Sequence, residues 1–128
     1  MVVGLGMDLV EVARIERLLH GEKGERALRR LFTEREVGYA RRRPHPAQHF
    51  AARFAAKEAA YKALSGDDAV ARAVGWRDIE VVPTVDGRPT LVFHGFAAQR
   101  AERLGVARVL VTLTHTDGVA GAVVVLES

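Results

Sequence analysis

The sequence contains no cysteine. Thiol nucleophiles, thiolate metal sites and disulfides are therefore excluded together, and any metal must be held by oxygen or imidazole. No apolar run approaches the ~20 residues of a membrane-spanning helix. The opening MVVGLGMDLVE lacks the basic flank and small-residue cleavage site of a secretory signal, so a cytoplasmic location is expected. Aromatic residues are scarce at 6%, few for a surface that stacks bases. Acidic residues are the minority charge, 16 against 19 basic, for a net charge of +3.

Of those 19 basic residues 16 are arginine, whose rigid fork of donors suits phosphate and carboxylate. An acidic partner is expected: a nucleotide, a nucleic acid or an acidic protein. At 48% hydrophobic and 27% charged the chain has the composition of a folded globular protein. Its 128 residues suit one domain, 1–128, burying roughly two-thirds of its unfolded surface.

The apolar run VVGLGMDLV is expected to be a buried strand ending near Asp8. A helix follows from Leu9 or Val10, with Val12, Ile15, Leu18 and Leu19 on one face and Arg14 and Arg17 on the other. A short helix is predicted over 25–31, and Thr33 with Glu36 forms the pattern of a capping box opening a third helix to about Arg42. RRRPHP at 41–46 reads as a loop, and 47–64 as a long helix stopped at Ser65-Gly66. Two β-segments joined by a turn at Asp86-Gly87 come next, then a helix from Phe96 to Leu104 stopped by Gly105. A hairpin through Thr116-Asp117-Gly118 closes the chain. This order of elements predicts an α+β fold with a mainly antiparallel sheet.

The segment RFAAKEAAYKAL poses the functional question. On a helix, Phe50, Phe54, Tyr61 and Leu64 share one side while alanines cover the opposite side, so the helix should be buried, with its alanine face allowing close approach. Glu58 and Lys62 fall one turn apart on the border of the two faces, and Arg53 and Lys57 on the far edge of the aromatic one. A surface i,i+4 pair of Glu58 with Lys62 would contribute only ~0.3–0.5 kcal/mol. Asp8 equally suits a plain helix N-cap. Taken together, a carboxylate at a strand end, another on a buried helix and a lysine one turn on form a candidate Mg²⁺ site, because Mg²⁺ takes one or two carboxylates plus substrate phosphates and water. His115 ends a predicted strand, Gly87 and Pro89 make a turn, and Gly4 and Gly6 lack the third glycine of a dinucleotide fingerprint.

GLGMDLVEVARIER, LFTERE, RFAAKEAAYKA and VTLTHT, in that order, together with DGRP, resemble the signature of the holo-[acyl-carrier-protein] synthases, the small bacterial 4′-phosphopantetheinyl transferases. The resemblance spans nearly the whole chain. It implies transfer of the phosphopantetheine arm of coenzyme A to a serine of apo-acyl-carrier protein in fatty acid biosynthesis, with Mg²⁺ as cofactor and adenosine 3′,5′-bisphosphate as the second product. Carried over by position, it implies Asp8 and Glu58 as metal ligands, Glu58 and Lys62 as catalytic groups, and Lys62 at the pyrophosphate. Arg53, Gly87, Arg88, Pro89, Thr114 and His115 would contact coenzyme A, including its 3′-phosphate, and Arg14 would grip the acidic helix of the carrier protein. It further implies a homotrimer with active sites between subunits. The chain departs from the pattern at Ser65-Gly66-Asp67-Asp68, where many members read Gly-Thr-Gly. Two rival readings stand beside it: a basic nucleic-acid-binding module using RRRPH, and a Mg²⁺-dependent phosphohydrolase in which water replaces the serine.

Overall fold

The computed structural model describes residues 1–128. Strand β1 (Val2–Glu11) leads into α1 (Val12–His20), α2 (Gly24–Leu31) and α3 (Glu34–Arg41), and these into the long helix α4 (Pro46–Ala63). The short helix α5 (Ala69–Ala73) and a 3₁₀ turn at Trp76–Asp78 precede the strands β2 (Ile79–Pro83) and β3 (Pro89–Phe93). Helix α6 (Gly95–Leu104) and the hairpin β4 (Arg108–His115) with β5 (Val119–Glu127) complete the chain. Every strand pair is antiparallel: one sheet has the order β1-β5-β4, and β2 pairs with β3 in a separate ribbon. The α+β expectation holds, divided over two sheets.

One boundary moves in a way that matters. β1 continues past Asp8 to Glu11, pairing Asp8 with Ala122 and Leu9 with Gly121. The helix expected from Leu9 or Val10 begins at Val12 instead, so Asp8 is a mid-strand residue and not an N-cap. Ladder pairing along the whole of β5 holds those residues extended, and the alternation of strand side chains then decides their faces. Gly4, Gly6, Asp8 and Val10 share the side toward α4, while Leu5, Met7 and Leu9 share the opposite one.

The two glycines explain how close that side comes. A Cβ on Gly6 would lie 1.8 Å from the Ala59 carbonyl oxygen, and one on Gly4 2.4 Å from that of Ala63. Backbone meets backbone here, so no side-chain shift could make room. The alanine face of α4 was expected to allow such an approach, and β1 is the element that makes it. Twelve of the 18 residues of α4 are buried, so the helix is the axis of the core. Pro46 opens it at a first-turn position where the missing N–H leaves nothing unsatisfied.

Two buried carboxylates fasten the other elements to this axis. Glu36 completes the predicted capping box, accepting from Thr33 N–H at 2.8 Å while Thr33 Oγ1 accepts from Glu36 N–H at 3.3 Å. Unforeseen from the sequence, the same carboxylate accepts from Val81 N–H at 2.8 Å and from Lys57 Nζ at 2.7 Å, with both charged side chains wholly buried. Lys57 also donates to the carbonyls of Trp76 and Ile79. It belongs to the core, not to the border of a face. Burial pushes the Lys57 ammonium below its ordinary value, and Glu36 works against that.

Glu80 accepts from Thr33 Oγ1 at 2.6 Å and Arg35 Nη2 at 2.9 Å, and pairs with His94 Nε2 at 3.0 Å. Burial alone would raise this carboxyl, but the bonds from Arg35, Thr33 and His94 outweigh it and bring it down to about 2. The SGDD segment also finds a local cause. Asp68 caps α5 by accepting from Ala71 N–H at 2.7 Å and pairs with Arg100 at 3.1 Å, while Asp67 is exposed.

Two tests follow from these contacts. Gly6→Ala should destabilise the fold by about 2–3 kcal/mol, a fall of roughly 10 °C in Tm, because neither backbone can yield. Gly21→Ala is the control: with φ −74° and no atom nearer than 3.4 Å to the new methyl group, it should be neutral or slightly stabilising. For Glu80, a folded value near 2 against an ordinary 4.5 means that its contribution is complete above pH 4.5 and disappears as the pH falls toward 2. Denaturant titrations across that window should show wild-type stability declining by about 1–3 kcal/mol more than that of Glu80→Gln; parallel declines would contradict the assignment.

Candidate active site

The approach of β1 to α4 brings Asp8 to Lys62. Lys62 Nζ donates to Asp8 Oδ1 and to the Met7 carbonyl, both at 3.0 Å. The surface pair of Glu58 with Lys62 does not form, since the ammonium turns to the strand. Glu58, one turn back on α4, is half-buried, and its carboxyl is pushed above the ordinary value. Burial is the largest cause and the Asp8 charge the second, with Lys62 and Arg14 pulling the other way.

The donor set suits a hard cation. Asp8 and Glu58 offer carboxylate oxygens close enough to feel each other's charge, and burial leaves that repulsion poorly screened. No group of three or more His, Asp or Glu side chains forms a complete cage anywhere in the chain. A metal held by this pair would take its remaining ligands from water and a bound substrate, which is the habit of Mg²⁺ rather than of a structural zinc.

Beside Glu58 opens a cleft of about 490 Å³. Its rim carries Arg14, Arg17 and Arg30 and its floor is apolar, including Ile15, Leu18 and Phe54. The Arg14 guanidinium lies 5.8 Å from the centre of the Phe54 ring. Arginines around an apolar floor suit an acidic amphipathic surface better than a polyanion.

Arg53, Gly87, Arg88, Pro89 and His115 meet in a second cleft, of about 530 Å³, between α4, the β2–β3 turn and β4. No carboxylate lines it. The turn requires glycine at Gly87, with φ 88°, and Arg88 is tied to Asp86 at 3.0 Å. Arg53 is only 4% exposed, and its Nε has no hydrogen-bond partner. His49, on the same wall, is pushed below its ordinary value by burial first and then by Arg53, Arg43 and His115. Thr114 falls outside this cleft: it lies on the outer face of the sheet with Met7 and Leu9, at a small depression of about 90 Å³.

The structure thus gathers most of the predicted site residues into two groups on one chain, a carboxylate–lysine group with Arg14 in the cleft beside it and a basic cleft, and leaves Thr114 apart from both. Sequence reasoning missed Tyr39 and His49, which line the basic cleft with Arg53. The signal available was spacing: His49 lies one turn before Arg53 on α4. The basic run RRRPH is largely committed internally, with Arg41 paired to Glu25 and Arg43 donating to the Tyr39 carbonyl at 2.8 Å. That disfavours a nucleic-acid surface.

Comparison with known proteins points to one family. The sequence is 52% identical to holo-[acyl-carrier-protein] synthase of Anaeromyxobacter dehalogenans (strain 2CP-1), over 99% of this chain and 97% of that one. The fold matches the crystal structure of holo-[acyl-carrier-protein] synthase from Neisseria meningitidis with a TM-score of 0.86, at 29% identity and over the full length of both chains. It also matches the holo-(acyl-carrier-protein) synthase of Bacillus anthracis in complex with CoA (3′,5′-ADP), with a TM-score of 0.78 at 32% identity over 100% of this chain and 98% of that one. Residues 4–124 match the family described as the 4′-phosphopantetheinyl transferase superfamily, and with so much of its length accounted for, the chain belongs to that superfamily.

Proposed function

We propose that this protein transfers the 4′-phosphopantetheine group of coenzyme A to a serine hydroxyl of apo-acyl-carrier protein, releasing adenosine 3′,5′-bisphosphate. The observation that carries the reading is the meeting of Asp8, Glu58 and Lys62 across the β1–α4 contact, in a chain whose relatives are synthases of this kind. The whole of 1–128 acts as one transferase domain, in the cytoplasm and in the service of fatty acid biosynthesis.

Asp8 and Glu58 would hold Mg²⁺, which would supply Lewis-acid stabilisation of charge on the pyrophosphate. Lys62, half-exposed and on a flexible stem, meets the pyrophosphate and offsets charge developing on the leaving bisphosphate. The serine oxygen forms the new bond to phosphorus as the bond to the bisphosphate breaks, and the proton the serine gives up passes to Glu58 or to water at the site. Arg53, Arg88 and His115 bind the nucleotide end with the Gly87–Pro89 turn, and Thr114, on the outer face of the sheet, contacts coenzyme A held against a neighbouring chain. Arg14 and the apolar cleft beside Glu58 receive the carrier protein.

Two features support assembly of copies of this chain. Leu5, Met7 and Leu9 form a row on the outer face of β1, 66, 58 and 63% exposed, and the row continues across β5 to Leu110. An apolar sheet face of this kind is normally covered. The basic cleft and the carboxylate–lysine group also line different depressions, so a coenzyme touching both is best accommodated between neighbouring chains. We take the assembly to be a homotrimer with its active sites at the subunit interfaces.

Two measurements test this reading. Intact-protein mass spectrometry of apo-acyl-carrier protein incubated with this protein, coenzyme A and Mg²⁺ should give a gain of ~340 Da that a chelator abolishes. Glu58→Gln should cut the rate at least about 100-fold while the fold persists, and release of free phosphopantetheine without labelling would favour the phosphohydrolase instead. Separately, Met7→Glu should convert the oligomer to monomers by light scattering and remove transferase activity, with little change in secondary structure. Wild-type monomers in solution would rule out the assembly.

A further inference from the structure

Tyr39 lies on the wall of the basic cleft, on α3, and carries two guanidinium groups. The Arg43 central carbon lies 3.3 Å from the ring centre and that of Arg53 3.9 Å from it. Two planar cations that close to one ring centre would overlap if they shared a face, so one lies on each side of the phenol. The His49 ring meets Tyr39 edge-on at 6.1 Å, and His115 meets His49 at 6.3 Å.

Arg53 needs such support. It is a permanent cation, nearly buried, with no carboxylate bonded to it. It donates to the His49 carbonyl at a long 3.5 Å, its Nε–H has no acceptor, and the Tyr39 hydroxyl and the more distant Glu36 charge favour the cation. Burial penalises the charge. The negative face of an aromatic ring offsets part of that cost and confines a side chain that otherwise samples many rotamers. A ring between two cations also keeps them apart.

We infer that Tyr39 is a positioning residue: it holds Arg53 in place for a phosphate monoester of the bound nucleotide, so that the chain favours nucleotides bearing a 3′-phosphate. The inference rests on the proposed transferase function, because coenzyme A carries its one phosphate monoester at that position. A monoester dianion suits a pocket lined by Arg53, Arg88 and His115 and by no carboxylate, since it brings both the missing acceptor and the missing charge. Tyr39 touches no reacting atom and acts through Arg53.

The test is calorimetric binding of two probes, adenosine 3′,5′-bisphosphate and adenosine 5′-monophosphate, to the wild-type protein and to Tyr39→Leu and Tyr39→Phe. The bisphosphate should bind the wild type more tightly. Tyr39→Leu should weaken it about tenfold, the scale of one desolvated cation–π contact, and change the monophosphate less than about twofold. Tyr39→Phe, which keeps the ring and loses only the hydroxyl, should restore most of the difference. Equal weakening of both probes, or of neither, would overturn the role of Tyr39. Equal binding of both probes to the wild type would instead sink the coenzyme reading of the cleft, and the inference with it. Should Tyr39→Leu fail to fold, the wild-type NMR spectrum decides: the Tyr39 ring and Arg53 Nε–H resonances should move with the bisphosphate and not with the monophosphate, and immobile resonances would refute the inference.

Discussion

The contact on which the site depends is between two backbones. β1 lies against α4 so closely that Gly6 leaves no room for a methyl group before the Ala59 carbonyl, and Gly4 none before Ala63. Helix and sheet ordinarily meet through layers of side chains. Here both partners have given up theirs, and the strand is drawn in until its next inward residue, Asp8, falls within hydrogen-bond reach of Lys62. Any larger side chain on either element would widen the gap and separate the two halves of the charged site. The glycine pair that resembles a fragment of a nucleotide fingerprint therefore acts at one remove, by setting a distance.

A second constraint holds α4 from the other side. Lys57 points into the core and finds Glu36, which also caps α3 and accepts from β2. A buried ion pair repays the cost of dehydrating both charges only when the remaining donors and acceptors are satisfied, and both groups here have several partners. Loss of either would leave a buried charge unpaired, a cost of about 3–5 kcal/mol. The pair adds less to net stability than to geometry, because it fixes α3 and β2 relative to the helix that carries Arg53 and Glu58.

Much of this was legible in the sequence, for identifiable reasons. The capping box at Thr33, the turn at Gly87, the stop at Gly105 and the length of α4 follow from local stereochemistry, which needs no knowledge of distant residues. Asp8 and Glu58 were readable as candidates because a carboxylate on a buried alanine-rich helix demands a partner, and the fold brings each within range of the other's charge. What stayed hidden depended on long-range pairing. Only the ladder with β5 carries β1 on to Glu11, so local signals ended the strand early and made an N-cap of Asp8. Helix periodicity gave Lys57 a place at an edge, whereas the shell supplied by Glu36, Trp76 and Ile79 buries it. Asp68 stood out only as a departure from the family pattern, and its cap on α5 and its pairing with Arg100 account for it.

The four charges of α4 then divide by what each has been given. Lys57 is fully paired and buried, and is structural. Arg53, Glu58 and Lys62 are each left short: the Arg53 Nε–H lacks an acceptor, Glu58 is raised by burial and by the Asp8 charge, and Lys62 is half-exposed on the one carboxylate it meets. A fold selected for stability alone would neutralise such groups, since unpaired charge at a partly buried position costs free energy. Their deficits are complementary in kind to one ligand: a metal ion would relieve the carboxylates, and a phosphate-rich molecule the arginine and the lysine. Held on one rigid helix, these groups keep their spacing without ligand, so the cost of gathering like charges is met during folding rather than at binding. The stability that the Gly6 contact and the Glu36–Lys57 pair lend to α4 is what allows its remaining charges to stay unsatisfied.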